Sequence, residues 1–257
     1  MTARTTLGLG VAIAVWAAGL GAASGQALGD DPAFALYRQA VQAMEQKDYA
    51  AARQNAQAAI AEYPNHLLAY YLLGQTALAE TKWAEAAEAF SKVIALYPRS
   101  FAGHRELGIA LDKLGKPDEA VQTWETALKL RPDDTDVRVR LAFMLLEAGR
   151  RDQALPYLTT LADRRTEVPE VWTALGRLQY ERGELPAAAS AFGRAVELRD
   201  DGRTWFNLAV VRLRLDDKPG ALTALQRAAK HPETKEQAER EIERLKAASK
   251  EEAPTRR

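Results

Sequence analysis

The chain has 257 residues, 47% of them hydrophobic, with 35 Lys and Arg set against 35 Asp and Glu. That even balance gives no bulk attraction to nucleic acid or to an anionic membrane surface. There is no cysteine, which excludes disulfides, thiolate catalysis, cysteine–zinc sites and lipid attachment through cysteine.

Residues 1–27 differ from the rest. Arg4 supplies a positive start, Leu7 to Leu20 is an apolar run, small residues follow from Gly21 to Gly25, and no acidic residue precedes Asp30. This pattern predicts a secretory signal peptide cut between Ala23 and Ala27; with no twin arginine, the Sec route is expected. The alternative is an uncleaved N-terminal anchor, but the run is short for a span, which takes about 20 apolar residues. Export would place the protein in the periplasm or outside the cell, with no membrane insertion after cleavage. Residues 28–32 form a linker.

Residues 33–233 repeat. Alanine recurs at Ala52, Ala86, Ala120, Ala154, Ala188 and Ala221, at gaps of 34, 34, 34, 34 and 33 residues. Thirteen residues before each alanine stands Leu73, Leu107, Leu141, Leu175 or Leu208, with Gln39 in the first unit. A small residue comes next: Ala40, Gly74, Gly108, Ala142, Gly176 and Ala209. Four residues after the alanine comes Phe90, Trp124, Leu158, Phe192 or Leu225, with Ala56 in the first unit. Each unit holds two apolar stripes at helical spacing. In the third, Phe101, Leu107, Ile109, Leu111 and Leu114 belong to one helix, and Ala120, Trp124, Ala127 and Leu128 to the next. Gly115, Gly149 and Gly183 end first helices, because glycine accepts the left-handed conformation of a C-cap. The small residues let two antiparallel helices approach closely. Alanine is abundant, β-branched residues are few and no alternating strand pattern occurs, so the chain is expected to be all-α.

Thr234 to Lys250 reads as a charged helix with a thin stripe of Ala238, Ile242 and Leu245, and Glu236 is spaced to pair with Arg240. A polar-backed helix of this kind suits the cap that a stacked array needs. Residues 251–257 are expected to be disordered.

The repeat resembles the tetratricopeptide family, whose pattern is W-x2-L-G-x2-Y, then A-x3-F, then P. The best matches are Trp172 to Gly176 with Ala188 and Phe192, and Leu73-Gly74 with Ala86, Phe90 and Pro98. His104 and Arg138 depart from it, standing where tryptophan or another large apolar group is usual. The resemblance implies an α-solenoid of about six helix pairs in a right-handed superhelix, with units beginning near residues 33, 67, 101, 135, 169 and 202. The charged helix then serves as a C-terminal capping helix.

Chemistry is absent from the pattern. His66, His104 and His231 lie far apart, and none has a second histidine one helical turn away. No nucleophile elbow, P-loop or dinucleotide fingerprint occurs. Asp133-Asp134 and Asp216-Asp217 fall at turns rather than in a cleft that would raise a carboxyl pKa. No enzymatic activity, metal or cofactor is expected.

The resemblance further implies that the first helix of each pair lines a concave groove. In the N-terminal half this selects Tyr37, Val41, Tyr71, Leu72, Gln75 and Ile109, with Arg105 and Glu106 between the halves. In the C-terminal half it selects Arg140, Phe143, Arg177, Tyr180, Arg203, Phe206 and Asn207. Tyrosine, phenylalanine and arginine are enriched at interface hot spots. The expected function is a non-enzymatic scaffold of the cell envelope that binds a peptide segment of a protein partner. The alternative is a structural component that self-associates or docks into an envelope assembly. The chaperone-binding members hold a terminal carboxylate with Lys, Asn and Arg at set groove positions. No unit has Asn at the ninth position and only Asn207 supplies the Asn of the sixth, so a chaperone-adaptor role is not expected.

Overall fold

The computed structural model describes residues 31–251, with side chains to residue 247. The segment read as a signal peptide and the tail after Glu251 lie outside the described residues. The chain divides into two compact units, Met1–Leu130 and Arg131–Arg257. The first contains α1 (Pro32–Glu45), α2 (Tyr49–Glu62), α3 (Leu67–Ala79), α4 (Trp83–Leu96), α5 (Phe101–Lys113) and α6 (Pro117–Leu130). The second contains α7 (Thr135–Glu147), α8 (Arg151–Asp163), α9 (Pro169–Glu181), α10 (Leu185–Leu198), α11 (Gly202–Arg214), α12 (Lys218–Ala228) and α13 (Lys235–Glu251). There is no strand among the described residues. Each unit thus holds three hairpins of a first helix (A) and a second (B). Every A helix packs on its own B helix, and within a unit every B helix packs on the next A helix.

Caps fix where the A helices begin. Asp31 accepts from the Ala33 amide at 2.9 Å, Ser100 from Gly103 at 3.0 Å, Asp134 from Val137 at 2.8 Å and Asp201 from Thr204 at 2.8 Å. Each such cap stabilises its helix by about 1 kcal/mol. At the same place α3 uses a histidine, whose Nδ1 accepts from the Ala69 amide at 3.2 Å.

The turn from A to B needs a left-handed residue in all six hairpins. Gly115, Gly149 and Gly183 supply it with φ of 70°, 71° and 76°. Lys47, Thr81 and Asp216 take the same conformation, with φ of 60°, 59° and 59°, at the corresponding positions. Sequence pattern alone marks only the glycines.

Inside each hairpin, one small residue on A faces one residue on B that is larger in all but the first. A Cβ on Gly74 would lie 2.7 Å from the Phe90 ring, one on Gly176 would lie 3.0 Å from Phe192, and one on Gly108 would overlap the Trp124 indole. The hairpins that carry alanine at this place (Ala40, Ala142, Ala209) carry Ala56, Leu158 or Leu225 opposite. Glycine is therefore paired with an aromatic ring and alanine with an aliphatic side chain. Phe90, Trp124 and Phe192 are each at most 2% exposed and are the largest of the fully buried side chains.

The two departures from the family pattern turn out to do one job. Trp172 donates from Nε1 to the Thr166 carbonyl at 2.8 Å, and Trp205 to Asp200 Oδ1 at 2.6 Å. At the equivalent place His104 donates from Nδ1 to the Ser100 carbonyl at 2.9 Å, and Arg138 donates from its guanidinium to the Pro132 carbonyl. Each side chain is an N–H donor that ties the start of an A helix to the connection before it. Arg138 is buried, and burial together with Arg164 pulls its pKa below the usual guanidinium value.

At the C-terminal end, α13 lays Ala238 and Ile242 against the core of the last hairpin. Its outward side chains form local pairs, among them Glu236 with Arg240 at 3.6 Å. The expected capping helix is present, beginning at Lys235 and reaching Glu251.

Candidate binding surface

The side chains that the A helices turn away from their B helices form the candidate surface. In the first unit it is largely closed on itself. Tyr37 is only 4% exposed and belongs to the core of α1, α2 and α3, with its ring 5.3 Å from that of His66 and 6.0 Å from that of Phe34. Burial raises its hydroxyl pKa. Its assignment to an open groove is therefore corrected, because Phe34 and His66 flank it. Leu72 is likewise core. Val41, Tyr71, Gln75 and Ile109 are half-buried. Tyr71 packs edge-on against Phe90 at 5.6 Å and accepts from Gln75 at 3.3 Å. Its pKa is pushed up to about 12, mainly by burial and then by the Glu106 carboxylate.

Arg105 and Glu106 form a pair. The guanidinium donates from Nε and Nη2 to Glu106 Oε1, at 2.9 and 2.5 Å, and Glu106 is buried. The cation that the sequence places on this surface is already engaged by a carboxylate of its own chain.

The second unit is different. Arg140, Arg177 and Arg203 are exposed, while Phe143, Tyr180, Phe206 and Asn207 are half-buried. Phe143 packs against the core of the first two hairpins of this unit, and Tyr180 and Phe206 against that of the last. Arg214, which sequence reading passed over, lies 5.1 Å above the Tyr180 ring. Its place near the end of α11 was the signal that could have found it. Thr173 on α9 and Thr204 on α11 approach to 3.4 Å, so these A helices are direct neighbours.

Two other features carry no site. A cavity of about 430 Å³ between the α7–α8 turn and the end of α9 is lined by Arg150, Arg151, Asp152, Gln153, Glu181 and Arg182 among others, and its charges answer one another: Arg182 meets Asp152 and Arg151 meets Glu181. Among the described residues no cluster of metal-ligating side chains occurs, and no helix is long and apolar enough to cross a membrane.

Two family models, both described as tetratricopeptide repeat, match the chain. One matches residues 77–138 and 113–178, the other residues 37–101 and 173–238. No functionally curated protein matches. Among solved structures, the chain is similar to YrrB, described as a TPR protein with an unusual peptide-binding site. Identity is 19%, the match covers 73% of this chain and 97% of that one, and the TM-score is 0.63. It is also similar to MamA from Desulfovibrio magneticus RS-1, at 23% identity over 63% of this chain and 92% of that one, TM-score 0.54. A further structure of MamA, labelled AMB-1, gives 22% identity over 65% and 92%, TM-score 0.58. At these identities the likeness is one of fold.

Proposed function

Since the chain belongs to the tetratricopeptide repeat family, whose members are all-α solenoids that serve as interaction scaffolds rather than catalysts, we propose that it binds a segment of a partner protein on the A-helix face of its second unit. The observation that carries this reading is the row of half-buried rings, Phe143, Tyr180 and Phe206, on three successive A helices. Rings anchored in a core and open on one side give contact area at little entropic cost. One structural neighbour is described as having a peptide-binding site, which supports a peptide ligand. The apolar run from Leu7 to Leu20 supports export and action in the cell envelope.

The test is capture of partners from an envelope extract, followed by mass spectrometry. The purified protein is compared with an Arg140→Ala/Phe143→Ala/Arg177→Ala variant. The variant is expected to lose partners that the parent retains. Equal recovery rejects this surface. N-terminal sequencing checks export, and a chain still starting at Met1 counts against cleavage.

A further inference from the structure

Each A helix of the second unit carries an arginine and, three residues on, an aromatic ring. The pairs are Arg140 with Phe143 on α7, Arg177 with Tyr180 on α9, and Arg203 with Phe206 on α11. That spacing sets the two side chains next to each other on one helix face. Most other arginines of the unit are engaged. Arg164 is bound to Asp133, Arg182 to Asp152 and Arg227 to Asp200. None of Arg140, Arg177 and Arg203 has a hydrogen-bonded or ion-paired partner among the described residues. Carboxylates on the same helices do not serve them, since Glu170 is taken by Arg199 and Glu181 by Arg151. Asp136, one turn before Arg140, remains exposed and apart from it.

An exposed guanidinium beside an anchored ring suits a carboxylate with an apolar neighbour. The planar fork takes the carboxylate in paired hydrogen bonds, and the ring covers adjoining carbon. We infer that this face receives an extended acidic segment whose side-chain carboxylates fall three to four residues apart. The inference rests on the surface reading above and names its ligand class. Packed helices lie about 10 Å apart. The arginines sit at different heights on their helices, so successive ones are separated by about 10–15 Å at a rise of ~1.5 Å per residue. An extended chain advances ~3.3 Å per residue and covers that distance in about three to four residues.

The probe is a fluorescent peptide with Glu three and then four residues apart, Leu and Ala between them, and an amidated C-terminus. Its affinity for the purified protein is read by anisotropy. Binding is expected to weaken as salt rises. Each of Arg140→Gln, Arg177→Gln and Arg203→Gln should lower affinity about tenfold, as loss of a charge-assisted hydrogen bond does. These positions are exposed, so the variants fold, and circular dichroism checks this. A peptide with Gln in place of Glu should not bind. Equal binding of the Gln peptide, or unchanged affinity in all three variants, overturns the inference. The two readings fail separately. If the capture variant loses its partners while the acidic peptide fails to bind, the surface stands and the acidic class falls. If capture is unchanged, the surface itself is wrong.

Discussion

In the first unit Arg38 lies over the Phe34 ring, at 5.6 Å, and Arg105 is bound to Glu106. In the second, Arg140, Arg177 and Arg203 have no such partner among the described residues. Both units are built on three hairpins of similar helix length with the same turn conformation. The difference lies in the side chains around the A-helix face, among them the buried Glu106 that holds Arg105. A repeat scaffold can thus hold its core fixed while one stretch stays neutral and another is given a charged, ring-lined face.

The comparison predicts that core substitutions hurt either unit alike. Trp124→Ala in the first should lower stability by about 3–5 kcal/mol, and Leu158→Ala in the second by about 2–5 kcal/mol, read by urea unfolding. A loss well below 1 kcal/mol for either would show that its hairpin is not held by this contact. Next in size, Gly108→Ala should cost about 1–3 kcal/mol, because the new Cβ overlaps the Trp124 indole. Adding Trp124→Leu makes this hairpin resemble the one built on Ala142 and Leu158, and most of the loss should return. Simple additivity in that double-mutant cycle would contradict the size pairing.

Glu106→Gln sharpens the contrast between the surfaces. It removes the carboxylate charge that faces Arg105 and should make the first unit respond to the acidic peptide, at a stability loss of about 1–3 kcal/mol. No gain in peptide bound per chain would mean that the neighbouring carboxylate charge is not the distinguishing feature. Thr81→Gly should raise stability by about 1 kcal/mol, since a β-branched residue at φ of 59° is strained and glycine is not. A matching loss would place the Thr81 side chain in a contact that offsets the strain.

The smallest effect concerns pH. His66 caps α3 through an unprotonated Nδ1, and burial lowers its pKa from 6.5, opposed by Asp31. The unfolded chain therefore binds more protons on this group than the folded chain just below pH 6.5. Stability should fall as pH drops through 6.5 toward the folded value. The window should vanish in His66→Asp, which installs the cap used by α1, α7 and α11. Persistence of the same slope in that variant would assign it to other groups.

Much of the scaffold is legible because packing repeats. Ala52, Ala86, Ala120, Ala154, Ala188 and Ala221 are all fully buried, as close helix approach requires. Lys47 and Thr81 were not legible as left-handed residues, because nothing in their chemistry prefers that conformation; the hairpin around them imposes it, while Asp216 is of a type that accepts it more readily. Tyr37 misled because its place in the unit matches a groove position, while its closure by Phe34 and His66 depends on tertiary packing. The Arg105–Glu106 pair was hidden for another reason. Adjacent residues on a helix do not ordinarily face each other, so their proximity in sequence gives no sign of a bond. Arg140, Arg177 and Arg203 were legible as outward cations, but their isolation appears only once the neighbouring carboxylates are seen to be occupied.

The tether at the start of the A helices has a consequence for how such chains tolerate change. In four of the six units tryptophan, histidine or arginine supplies there a polar hydrogen that reaches back toward the preceding connection, so the indole ring is one of several ways to make the tie. A search keyed to the aromatic residue would count Trp172 and Trp205 and pass over His104 and Arg138, although all four fasten the same joint.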